Sequence, residues 1–110
     1  RRSLVRKKCR CKLKPIETEN AETIQARVLD ISEDGVQLFA VEDIPKGARM
    51  HARFALPEDI EFSATIEARW SRTYKTRDGF QIGCIFAEMD TAAEKTLRNF
   101  LTSLQKTTGL

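Results

Sequence analysis

Apolar and polar residues alternate with a period of two over most of the first 87 residues, the pattern of half-buried β-strands. Cys9, Cys11 and Leu13 alternate with Lys8, Arg10 and Lys12, predicting a short strand with a basic outer face. Ile24, Ala26 and Val28 alternate with Thr23, Gln25 and Arg27 in a second strand, which runs into Asp30-Ile-Ser-Glu-Asp-Gly35. Gly35 breaks the pattern, and Val36 to Ala40 form a third strand behind it. A turn follows at Ile44-Pro45-Lys46-Gly47. Met50, Ala52 and Phe54 then alternate with Arg49, His51 and Arg53, and Pro57-Glu58-Asp59 turns the chain again. In the longest alternation Ile60, Phe62, Ala64, Ile66, Ala68 and Trp70 share one face. That parity places Trp70 in the core. Asp78-Gly79 is a hairpin signal, after which Phe80, Ile82, Cys84 and Phe86 share a face.

The period then changes. Thr91-x-x-Glu94 reads as a capping box, which gives Glu94 a capping rather than a catalytic role. Leu97, Phe100, Leu101 and Leu104 recur at helical spacing,. The expected fold is all-β: a six-stranded antiparallel small β-barrel closed by one C-terminal amphipathic helix. A barrel also removes exposed strand edges. Within a single domain, residues 1–8 form a flexible basic arm, 9–89 the barrel and 90–106 the helix.

Charge divides this picture in two. Residues 1–14 carry eight basic groups and no acid, whereas the remaining 96 carry 11 basic and 16 acidic groups, a net of −5. A basic leader on a mildly acidic body calls for an anionic partner at the N-terminus. Hydrophobic residues at 41% and charged residues at 32% exclude disorder and low complexity,. No apolar run approaches the ~20 residues that span a bilayer. The odd count of three cysteines argues against a disulfide framework and for a reducing, cytoplasmic setting,. The opening Arg1 in place of Met leads to the expectation of a longer parent polypeptide.

Two constellations carry chemistry. Arg2-x-x-x-Arg6 places two guanidinium forks just before the first strand, and such forks suit phosphate oxygens and the O6/N7 edge of guanine. A basic terminal run is also, more simply, a solvated charged segment. Asp30-x-Ser32-x-x-Gly35 stands at a strand end. An ionised Asp accepts from paired donors such as guanine N1–H and N2–H2, Ser32 donates or accepts, and Gly35 permits positive φ and close approach. Equally, Asp30 and Ser32 could serve only a local turn before a glycine.

Taken together, Arg2-Ser-Leu-Val-Arg6 followed by Asp30-Ile-Ser32-Glu-Asp-Gly35 resembles the PilZ domain, with its RxxxR arm and [DN]xSxxG strand motif. The strand order, the Ile82-Gly83-Cys84-Ile85-Phe86 stretch and the closing helix also look like that family. The resemblance implies a receptor for cyclic di-GMP. Arg2 and Arg6 would grip phosphates and guanine Hoogsteen edges, while Asp30, Ser32 and Gly35 would hold a guanine on the barrel. Arg6-Lys-Lys-Cys-Arg10 satisfies the same arm spacing, but Arg10 lies inside the predicted strand, which favours Arg2 and Arg6. Arg1, Arg10 and Trp70 stand as additional candidates. Glu33 and Asp34 are a departure, because acidic side chains beside a dianion cost affinity unless they face solvent.

The remaining residues point to little else. Cys9-x-Cys11 lacks further metal ligands at sensible spacing, and the lone His51 removes most histidine-based schemes,. No metal, no cofactor and no enzymatic activity are expected. The competing functions are an adaptor of the same fold that binds no nucleotide, and a small basic barrel that binds nucleic acid. Intact motifs oppose the first, and the net −5 of the body opposes the second. The expected partners are cyclic di-GMP and a downstream protein or attached domain.

Overall fold

A computed structural model describes residues 11–19, 22–73 and 78–108, with side chains as far as 103. Among the described residues eight strands and one α-helix follow in order: β1 (Lys12–Leu13), β2 (Ile16–Thr18), β3 (Thr23–Ile24), β4 (Ala26–Ile31), β5 (Gly35–Ala40), β6 (Arg49–Leu56), β7 (Ile60–Thr73), β8 (Phe80–Glu88) and α1 (Thr91–Thr108), with a single 3-10 turn at Pro57–Asp59 between β6 and β7. Every strand pair is antiparallel. The ladder runs β3-β2-β6-β7-β8-β5-β4, with β1 also pairing β6. Among the described residues no hydrogen-bonded pair joins its two ends, yet β3 and β4 are separated only by Gln25. One bent segment thus borders both ends, and the result is barrel-like without closure of the ladder.

The count differs from the six predicted strands for two local reasons. The second predicted strand divides at Gln25 into β3 and β4. Behind Pro15, Ile16–Thr18 adds a strand of only three residues, too short for a period to show. Its Ile16 is nonetheless fully buried.

The long alternations hold where they were clearest. In β6, Met50, Ala52, Phe54 and Leu56 are buried, and in β7 Ile66, Ala64 and Phe62 pair with the first three, with Ala68 buried beyond them. Phe54 and Phe62 stack with centroids 4.8 Å apart, and Phe86 meets both edge-on. Such aromatic pairs add to the area they bury. Helix α1 contributes buried Ala93 and Leu97, with Phe100 and Leu101 packed alongside.

The start of α1 corrects the predicted capping box. The Asp90 carboxylate accepts from the Ala93 amide at 2.8 Å, and the Asp90 carbonyl accepts from Glu94 N–H at 3.0 Å. Asp90 is therefore the N-cap and Thr91 the first helical residue. Glu94 is displaced by one position from where a capping box needs it and lies exposed.

Cys11 and Cys84 are both buried, while Cys9 lies outside the described residues. Burial pushes the Cys84 thiol up to about 12, which keeps it protonated and unreactive. No helix among the described residues is long and apolar enough to cross a membrane.

Candidate ligand-binding face

Two β-bulges create the site. In the β4–β5 ladder Val28 pairs with Leu38 but Asp30 pairs with Gln37, so Leu29 is the extra residue. In the β7–β8 ladder Ala68 pairs with Cys84 but Trp70 pairs with Gly83, so Arg69 is the extra residue. A one-residue insertion moves everything beyond it to the opposite face. Asp30 has the parity of Ala26 and Val28, and Trp70 that of Ile66 and Ala68. Without the bulges a carboxylate and an indole would both point into the core. With them, both point outward, and Ile31 is buried in place of Asp30.

This overturns the expectation that Trp70 belongs to the core. The residue is 40% exposed. Ladder partners share a face, so Asp30, Gln37, Gly83 and Trp70 form one transverse row across β4, β5, β8 and β7. The row lies in an open concavity of about 220 Å³, which Ser32, Arg69 and Ile85 also line. The indole covers Gly83, where any Cβ would collide with it. The Arg72 guanidinium stands 5.3 Å from the ring centroid of Trp70, a cation–π contact,. Among the described residues no side chain pairs with the Asp30 carboxylate, which leaves both oxygens available to donors.

The motif residues divide between turn and surface. Ser32 Oγ accepts from the amides of Asp34 and Gly35 at 3.3 Å each and lies 3.4 Å from the Gly35 carbonyl, to which it donates. This is the local-turn role, and it holds the 32–35 loop in shape. Gly35 does not adopt positive φ; among the described glycines only Gly47 does, at 90°. What Gly35 supplies is clearance, since a Cβ there would run into the backbone carbonyl of Cys84 on β8. Glu33 turns away from the concavity and pairs with Arg98 of α1 at 3.3 Å. Asp34 remains exposed at the rim.

Arg1, Arg2, Arg6 and Arg10 lie outside the described residues. Gln37, Arg69, Gly83 and Ile85 also line the concavity, and none of them is among the expected site residues. Gly83 alone carried a signal, because a glycine inside a strand marks a close approach to its backbone.

The architecture is an antiparallel barrel-like sheet with one closing helix and, on its outer face, a concavity lined by polar and apolar groups together. The PilZ domain family model matches residues 1–103, and the chain belongs to that family of cyclic di-GMP receptor domains. No curated protein matches the chain.

Proposed function

We propose that this chain is a cyclic di-GMP receptor domain whose outer row from Asp30 to Trp70 holds a guanine while Arg2 and Arg6 engage phosphates. The observation that carries this reading is the outward placement of the Asp30 carboxylate, unpaired among the described residues, in one row with Trp70. A carboxylate there matches the adjacent N1–H and N2–H2 donors of guanine. The indole offers a stacking surface beside it. The +8 leader supplies counter-charge for two phosphates,.

The bound ligand bridges arm and barrel and so favours the closed arrangement over the open one. The ion pair between Glu33 and Arg98 links the motif loop directly to α1, which gives the signal a route to a partner protein or an attached domain. The chain is read as cytoplasmic, as a second-messenger receptor requires.

Calorimetric titration tests the reading, with cyclic di-AMP and single-stranded RNA as controls. Selective binding of cyclic di-GMP is expected, weakened at least about tenfold by Arg2→Ala, Arg6→Ala or Asp30→Ala with the fold retained. Binding that survives all three changes overturns the site. Absence of binding by the unaltered chain favours an adaptor.

A further inference from the structure

We infer that Gln37 is a specificity-determining residue of this face, donating from its amide to the O6 of a bound guanine, with Gln81 and Arg72 fixing that amide in the donating orientation. The inference rests on the reading of the face as a guanine site and extends it to a residue outside both motifs.

Three side chains on the outer face form a chain of hydrogen bonds. Arg72 Nε donates to Gln81 Oε1 at 3.3 Å, and Gln81 Nε2 donates to Gln37 Oε1 at 2.7 Å. The direction of this chain is not arbitrary. A guanidinium has donors and no acceptor, so the Gln81 atom facing Arg72 must be its oxygen. The Gln81 nitrogen then faces Gln37 and requires the Gln37 oxygen in return. The Gln37 NH2 group has no partner among the described residues and is the donor left for the concavity, which Gln37 lines. The usual ambiguity of an amide flip is thus removed by an obligate donor two residues away. Arg72 is itself held beside the indole of Trp70, so the relay and the stacking surface are parts of one arrangement.

Gln37 is the cross-strand neighbour of Asp30. Together they present a carboxylate with two acceptor oxygens and an amide donor. The guanine edge offers the complement: donors at N2 and N1 and an acceptor at O6. Adenine presents an amine where guanine has O6, so two donors would face each other there. The pair therefore selects guanine through opposed polarity as well as attraction.

The test compares cyclic di-GMP with its 6-thioguanine analogue, in which a weakly accepting sulfur replaces O6 while N1–H and N2–H2 remain. The unaltered chain is expected to bind the analogue about tenfold more weakly. In Gln37→Leu, affinity for cyclic di-GMP falls about tenfold and the two ligands bind alike. In Gln81→Leu, which frees the Gln37 amide to turn, the ratio falls to about threefold. A merely structural role would weaken both ligands equally and leave the ratio unchanged. Should Gln37→Leu fail to fold, Gln37→Asn keeps the amide, shortens its reach and is expected to equalise the ligands as well. Binding of cyclic di-GMP with a ratio that survives these substitutions overturns the role of Gln37 and leaves the proposed function standing. No binding by the unaltered chain overturns both.

Discussion

The indole of Trp70 occupies the space above Gly83 where a side chain would otherwise stand. The two residues are ladder partners on neighbouring strands, brought opposite each other by the bulge at Arg69. The contact fixes where the ring lies on the outer face. In Gly83→Ala the new methyl displaces the indole, which is partly exposed and has room to move outward. Overpacking at such a site costs about 1 kcal/mol. The expected result is a red-shifted Trp70 emission and weakened cyclic di-GMP binding with only a small loss in urea midpoint. Unchanged emission would show that the ring does not rest on Gly83.

Gly35 makes the opposite prediction, although both residues are strand glycines. Its missing Cβ would meet the carbonyl of Cys84, which is backbone and cannot rotate aside. Gly35→Ala therefore forces β5 and β8 apart at the start of their ladder. A loss of about 2–3 kcal/mol is expected in urea unfolding, even without ligand. A stable Gly35→Ala protein that had lost only binding would instead assign the glycine to the ligand.

The N-cap assignment separates Asp90 from Thr91. Asp90→Ala removes the acceptor for the Ala93 amide and should cost about 1 kcal/mol. Thr91→Ala and Glu94→Ala should each leave the thermal midpoint nearly unchanged, because neither side chain satisfies an orphan helix amide. A larger loss for Thr91→Ala than for Asp90→Ala would restore the capping box.

The buried Cys84 thiol gives the protein an alkaline weakness. Its pKa rises from an ordinary value of 9.0 to about 12 on folding, because burial penalises the thiolate. Between these values the unfolded chain has released this proton and the folded chain retains it. The unfolded state then binds fewer protons, so stability falls as pH rises. The contribution is fully present below about pH 9 and is lost progressively toward pH 12. Cys84→Ala should flatten that part of the stability curve, whatever its cost at neutral pH. In the native protein at pH 8, alkylation of Cys84 should be far slower than in urea.

The sequence by itself determined the antiparallel β-architecture, the C-terminal helix and the core faces of β6 and most of β7. Alternation on a pleated strand leaves little freedom once one face must be dry. It also marked Asp30, Ser32 and Gly35 as a unit, since that combination tightens a turn and offers a carboxylate together. The tertiary structure alone decided which way the site residues face. Parity in the sequence sent Trp70 inward and gave Asp30 the same alignment as core residues. A bulge exists only between two paired strands, so its position cannot be read from either strand separately. The same holds for the relay from Arg72 through Gln81 to Gln37, whose members lie on β7, β8 and β5. Nothing local links them; the sheet order places them side by side, and the one-way chemistry of arginine then sets the polarity of the face.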